Sequence, residues 1–253
     1  MFVAVSFLAT ELVISGNMGA PEGTDFTAWS PQGCLLSLDS TLGPGSAALA
    51  LEGRVVASLR ADGDGRGRLP RLVEALLQQC DRTLGDVDAF VVAAGPGRFT
   101  GVRSALSVAK GLAWALKKPL VTIGSLEALG CLQEPLVVLG DGPRALYVAG
   151  LALPGERIVY AWEISDFIQY YADSAPRVSR IVGTMLGPVR GAFEAAGFVA
   201  EWADVTLDAE RHMLAAIEHG VGCNVHDAEP RYVREPSITP PRVAPPRLSF
   251  ADA

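Results

Sequence analysis

The chain is short of lysine, histidine, cysteine and aromatic residues, and each shortage narrows what it can be. Only three of its 21 basic residues are lysines (Lys110, Lys117, Lys118), and there are three histidines, four cysteines and 7% aromatics in 253 residues. Against 28 acidic residues the net charge is −7. That argues against a protein whose main task is to coat nucleic acid, because phosphate neutralisation needs clustered Lys and Arg, and leaves room only for a local basic patch. With so much Ala and Gly, the preference for Arg over Lys reads as compositional bias rather than arginine-based recognition. No basic residue precedes Arg54, so the apolar stretch Met1 to Thr10 lacks the positive start of a secretory signal, and Glu11 interrupts it. No uncharged apolar run of about 20 residues is present to span a bilayer. A cytoplasmic location is expected.

The cysteines, Cys34, Cys80, Cys131 and Cys223, have no metal-ligand or redox spacing. A 26.6 kDa chain with a large core needs no staples, so reduced and mostly buried thiols are expected. The histidines, His212, His219 and His226, lie seven apart. On a helix seven residues rise about 10.5 Å, too far for two ligands of one metal. No metal site is expected. The absence of a Gly-x-Ser-x-Gly elbow argues against serine hydrolase chemistry.

What remains is 49% hydrophobic with 27 glycines, enough for a large core. The pattern predicts strands near Leu35–Asp39, Ser46–Leu51 and Val55–Leu59, with Glu52-Gly53 as a tight hairpin turn. A helix over Leu69–Cys80, a strand at Val87–Ala94, a long helix over Phe99–Leu116, a short strand from Pro119 to Thr122 and a helix over Ser125–Leu132 follow. The second half repeats the style, with strands at Leu136–Leu139, Ala145–Leu153 and Arg157–Trp162. Helices and strands then alternate as far as a last helix over Leu207–Glu218. Hairpins first, then strands alternating with helices, in each half, predict an α/β protein of two related subdomains.

Residues 1–33 carry Glu11, Glu22 and Asp25 and no basic residue. They read as an N-terminal extension, of the kind an early start codon adds, and are expected to be poorly ordered. The subdomains are expected over 34–123, with the interface helices, and over 124–235, with a returning C-terminal helix. Residues 236–253 form a Pro-rich tail; the last 24 residues hold six of the 17 prolines.

Three stretches carry candidate chemistry. In Gly95-Pro-Gly-Arg-Phe-Thr-Gly-Val-Arg103 the glycines permit a sharp strand-to-helix turn. Its helix start has spare N–H groups that suit an anion, but no Walker lysine follows, and a turn made for packing is the competing reading. The helix behind it has two apolar stripes. Phe99, Val102, Leu106, Ala109, Ala113 and Leu116 form one; Gly101, Ala105, Val108, Leu112 and Ala115 form the other. Arg103, Ser107, Lys110, Trp114 and Lys117 form the polar stripe. Two stripes imply burial on two sides, either within the domain or against a partner helix that Gly101 and Ala105 would let approach. On the partner reading the surface is Gly101, Ala105, Val108, Leu112 and Ala115. Finally, Asp39-Ser40-Thr41 and Asp141 sit at strand ends, where an Asp suits Mg–phosphate contact or an ordinary turn.

The run Ala94 to Arg103, then Ala109-Lys-Gly-Leu112 and Gly124-Ser-Leu-Glu-Ala-Leu129, closely resembles the bacterial TsaB (YeaZ) family, with weaker echoes at Leu38-Asp-Ser-Thr41 and Pro230-Arg-Tyr-Val-Arg234. The motif turn comprises Gly95, Pro96, Gly97, Phe99, Thr100, Gly101 and Arg103. The resemblance implies an actin-like ATPase (ASKHA, ribonuclease H-like) fold and a role in forming N6-threonylcarbamoyladenosine at adenosine 37 of tRNA. It implies a non-catalytic dimerisation and scaffold subunit for the catalytic paralogue TsaD, which carries a metal-binding His-x-x-x-His absent here, and it extends the partner surface to Leu69, Leu72, Val73 and Leu76 of the neighbouring helix. The ATPase TsaE would join that complex, the free subunit would be a homodimer, and tRNA would be met indirectly through the complex. No cofactor is expected on this subunit, ATP and Mg being admitted only at the level of the complex. Asp39, Ser40, Thr41 and Asp141 would then line a vestigial nucleotide cleft. There are departures: Arg98 stands for the usual Ser, the segment before Leu69 is short, and Asp141-Gly-Pro-Arg-Ala-Leu-Tyr147 loses a Gly and a Glu. The alternative is an ASKHA phosphotransferase or ATPase acting on its own through Asp39 and Asp141. A peptidase reading lacks both a metal site and a nucleophile triad.

Overall fold

The computed structural model describes residues 10–13, 28–62, 69–143, 145–153, 158–173, 178–220, 222–223 and 225–233. In them the chain forms β1 (Thr10–Val13), β2 (Leu35–Asp39), β3 (Ser46–Leu51), β4 (Arg54–Arg60), α1 (Leu69–Gln79), β5 (Ala89–Gly95), α2 (Phe99–Leu116), β6 (Leu120–Gly124) and α3 (Ser125–Ala128). The second half supplies β7 (Val137–Asp141), β8 (Ala145–Ala149), β9 (Ile158–Glu163), α4 (Ile164–Asp173), β10 (Arg180–Thr184), α5 (Gly187–Ala195), β11 (Glu201–Asp204), α6 (Ala209–His219) and β12 (Gly222–Cys223).

Two six-stranded sheets repeat one topology. In the first, β2, β3 and β4 form an antiparallel meander, and β5 and β6 extend the other side of β2 in parallel. In the second, β7, β8 and β9 form the meander, and β10 and β11 extend β7 in parallel. Helices α1 and α2 make the crossovers of the first half, α4 and α5 those of the second. Each half therefore runs βββαβαβ, the repeat of an actin-like fold. The parallel strands at the centre are continuous apolar runs because both faces are covered; β5, Ala-Phe-Val-Val-Ala-Ala-Gly, is buried throughout. The edge strand β4 alternates exposed and half-buried residues. Its hairpin turns at Glu52 and Gly53, both with positive φ (51° and 74°), which matches the twist of the flanking strands.

The molecule is layered. Helices α1 and α2 pack outside the first sheet with Leu36, Leu38, Phe90 and Val92, while α4 and α5 pack outside the second. The scarce aromatics concentrate there: Trp162, Phe167, Tyr171, Phe193, Phe198 and Trp202 form one chain of ring contacts. Between the sheets lies a third cluster, in which Met213 and Ala216 of α6 and Leu126 and Ala128 near α3 meet Leu35 and Val91 of one sheet and Leu139 and Val182 of the other.

Several expectations change. The leader is not wholly without structure: Thr10–Val13 pairs antiparallel with Val159, Tyr160 and their neighbours at the β9 edge. Trp29 packs against the central cluster. The rest of residues 1–27 and the tail from 234 lie outside the described residues. The returning helix α6 packs against β2, β3 and β5 of the first sheet, and β12 pairs with β6 there. Helix α3 ends at Ala128 rather than Leu132. Gly130 adopts φ 97°, and the N–H groups of Gly130 and Cys131 close back onto the carbonyls of Glu127 and Leu126. All four cysteines are free; Cys34 and Cys131 are buried, Cys80 and Cys223 half-buried. Among the described residues no helix is long and apolar enough to cross a membrane.

Candidate functional site: the face of helix α2

The first turn of α2 is seated on the turn that follows β2. The Asp39 carboxylate accepts hydrogen bonds from the Thr41 N–H at 2.9 Å and from the Thr41 hydroxyl. The Thr41 carbonyl then accepts from the Arg98 N–H at 2.9 Å, and the Ser40 hydroxyl donates to the Gly101 carbonyl at 2.7 Å. This approach explains two motif glycines: a Cβ at Gly97 would overlap the Thr41 side chain, and one at Gly101 would overlap the Ser40 carbonyl oxygen. The packing reading of the Gly-Pro-Gly turn therefore holds. Thr41 takes the Arg98 N–H that an anion would have sought.

The closing segment 225–233 straps across the same helix. The Arg231 N–H donates to the Ala94 carbonyl at 2.7 Å. Its guanidinium pairs with Glu127 at 3.1 Å, and the other Glu127 oxygen accepts the Gly124 N–H at 2.6 Å. Lys110 donates to the Ala228 carbonyl at 2.8 Å. Arg103 Nε donates to the Tyr232 hydroxyl at 2.6 Å, and the Tyr232 ring stacks on Phe99 with centroids 5.2 Å apart. His226 meets Trp114 edge-on at 5.0 Å. The three separated motifs therefore form one assembly. Arg103, Lys110 and Trp114 of the polar stripe seat the strap, while Arg103 and Trp114 remain partly open to solvent. The available signal was that these positions share one helix face and the chain end offers a Pro-Arg-Tyr-Val run.

The partner surface needs a correction. Leu69, Val73, Leu76 and Ala105 are at most 4% exposed and belong to the chain's own core, so they have no surface left for a partner. Gly101 is spent on the Ser40 contact. Leu72, Val108 and Leu112 are half-buried and packed on that core, Ala115 is exposed, and Trp114 is 63% exposed. The second apolar stripe is thus a shoulder between α1 and α2, open only along its outer rim.

The nucleotide residues do not converge as expected. Asp39, 3% exposed, does line a cleft of about 440 Å³ between the sheets, with Arg60, Met185, Asp204 and Asp208 among its walls. Asp141 is not among its lining residues; its carboxylate accepts from the Tyr147 hydroxyl at 3.0 Å. Ser40 and Thr41 face α2 instead. The cationic groups at the cleft are already paired, Arg60 with Asp208 and the neighbouring Arg190 with Asp204 at 3.0 Å. Among the described residues, three aspartates therefore face any incoming phosphate with no spare guanidinium between them. Among the described residues no group of three His, Cys, Asp or Glu side chains is placed to hold a metal ion. His212 is buried on α6, His219 exposed at its end, and His226 lies on the strap.

A protein-family model described as TsaD, tRNA N6-adenosine threonylcarbamoyltransferase, matches residues 64–180. The tRNA threonylcarbamoyladenosine biosynthesis protein TsaB of Bacillus subtilis (strain 168) is 47% identical over 57 residues, 22% of this chain and 25% of that protein. A crystal structure of an uncharacterized Pseudomonas aeruginosa protein with similarity to peptidase YeaZ superposes with TM-score 0.61 at 26% identity. It covers 80% of this chain and 100% of that one. YeaZ from Pseudomonas aeruginosa gives TM-score 0.54 at 25% identity over 79% and 99%. In fold and in its Gly-Pro-Gly motif the chain is similar to the TsaB (YeaZ) proteins. The matches span from about a sixth to under a half of the length of the curated relatives. The Gly-Pro-Gly run that carries the resemblance is the seat of α2 described above.

Proposed function

We propose that the chain is a non-catalytic subunit of threonylcarbamoyladenosine biosynthesis. It supports a TsaD-like paralogue that transfers the threonylcarbamoyl group to N6 of adenosine 37 of tRNA. A TsaE-like ATPase joins the assembly, and the free subunit pairs with itself. The observation that carries this reading is the outer rim of the α1–α2 shoulder. There Leu72, Val108 and Leu112 are left half-covered beside exposed Ala115 and Trp114, an apolar margin that a second helix pair would complete. The paired cations and clustered carboxylates of the inter-sheet cleft support leaving nucleotide chemistry to the partner.

Co-expression with a TsaD-like paralogue and size-exclusion chromatography tests the reading. A stable complex is expected, and Val108→Glu and Ala115→Glu are expected to abolish it while the variants stay folded. A complex that survives both substitutions would sink the interface. Ala105→Glu is unsuitable, since Ala105 is fully buried and the change would unfold the chain. Calorimetry with Mg-ATP on the isolated chain separates the competing ATPase reading, which requires binding where none is expected.

A further inference from the structure

We propose that the arginine–aromatic cluster at the start of α2 is a stacking platform for an unpaired RNA base. The proposal rests on the RNA-modification reading above and adds a direct contact to it. The Arg103 guanidinium lies over the Phe99 ring, 4.0 Å from its centroid, and 5.6 Å from that of Tyr232. The bond from Arg103 to the Tyr232 hydroxyl holds the Tyr232 ring, which in turn stacks on Phe99. Phe99 is 36% exposed although large and apolar, and Arg103 is exposed. Arg98 stands beside them, also exposed, and its side chain has no hydrogen bond or ion pair among the described residues. Among the described residues Arg103 has no ion pair either, whereas Arg60, Arg180, Arg190 and Arg231 are bound to carboxylates.

Aromatic faces and guanidinium planes are what splayed bases stack on, and unpaired guanidinium groups are what the flanking phosphates meet. In a chain of net charge −7, two uncompensated arginines around two ordered rings are complementary to a single-stranded loop. A duplex hides its base faces and cannot use the rings. An acidic protein helix would meet the arginines and leave the rings unused.

The test is fluorescence anisotropy of the full chain, alone and in complex with its TsaD-like paralogue. The probes are a labelled tRNA anticodon stem-loop containing adenosine 37 and a fully paired RNA of the same length. The stem-loop is expected to bind more tightly. Phe99→Leu should weaken stem-loop binding by roughly 5- to 100-fold while sparing the duplex. Arg98→Ala, which removes no side-chain hydrogen bond or ion pair among the described residues, should weaken both RNAs and lower the salt slope by about 1. Thermal melting confirms that the variants are folded. Equal affinity for stem-loop and duplex, or unchanged affinity in both variants, overturns the platform. So does loss of the paralogue with RNA binding intact, which would assign the cluster to a protein partner. If the complex forms but RNA affinity ignores the variants, the platform fails and the subunit reading stands; if no complex forms, the subunit reading fails.

Discussion

Gly101 and Gly111 lie on the same helix and answer opposite needs. A Cβ at Gly101 would drive into the Ser40 carbonyl, a backbone atom that cannot swing aside, whereas one at Gly111 meets nothing within 4 Å. Gly101→Ala is therefore expected to cost about 1–3 kcal/mol or more, as overpacking does. Gly111→Ala should gain up to about 1 kcal/mol from helix propensity. Urea midpoints at unchanged slope check the pair. Two thiols add a pH dependence. Burial raises the pKa of Cys34, with Asp88 adding to it, and burial raises that of Cys223, in each case from the ordinary 9.0. Folding thus favours the protonated thiol. Its contribution is complete below that value and is lost as pH rises through the raised one. Urea midpoints should accordingly fall more steeply above about pH 9 for the native chain than for Cys34→Ala. Parallel falls in both would disprove the linkage.

At the scale of elements, α2 was legible and its surroundings were not. Phe99 to Leu116 emerges from spacing because helix periodicity is a local signal. What covers each face depends on segments far away in the chain. The polar stripe through Arg103 and Lys110 looks like a wet face, yet it holds a strap that arrives more than a hundred residues later. The stripe assigned to a partner is largely used by the turn after β2 and by α1. Capping glycines decided the length of α3, which apolar spacing alone overran. The strap gives a graded prediction. Tyr232→Phe keeps the stack on Phe99 and loses only the hydroxyl that accepts from Arg103, so it should cost about 0.5–1.5 kcal/mol. Tyr232→Ala removes the ring as well and should cost more, with faster hydrogen exchange in the first turn of α2. Equal losses in the two variants would show that the ring contact contributes nothing.

For the whole molecule, the repeat was readable from the order of hairpins and crossovers, but the way the halves join was not. Nothing in residues 34–123 announces that their inner face waits for α6. The apolar residues of β2 and β5 look the same whether the covering helix follows at once or arrives after a second subdomain. In the structure, Leu35, Val91 and Val121 are fully buried in a cluster with Met213 and Ala216 of α6, and the same cluster holds Val137 and Leu139 of the second sheet. The N-terminus of α6 is also tied to the first sheet: the Ala209 N–H donates to the Ser46 hydroxyl at 2.9 Å, and Asp208 pairs with Arg60. One central layer therefore serves both sheets, and removing it strands apolar surface on each. The full chain should unfold in a single urea transition reported alike by far-UV circular dichroism and tryptophan fluorescence. A fragment of residues 28–124 keeps a complete βββαβαβ unit yet lacks α6 and β12, so it should show no cooperative transition and should bind a hydrophobic dye. Fusing residues 207–233 to it through a flexible linker should restore the transition, because these residues supply the missing inner layer, the edge strand and the strap together. A fragment that folds cooperatively without them would mean that the first subdomain is autonomous and that α6 is only a lid on a finished core.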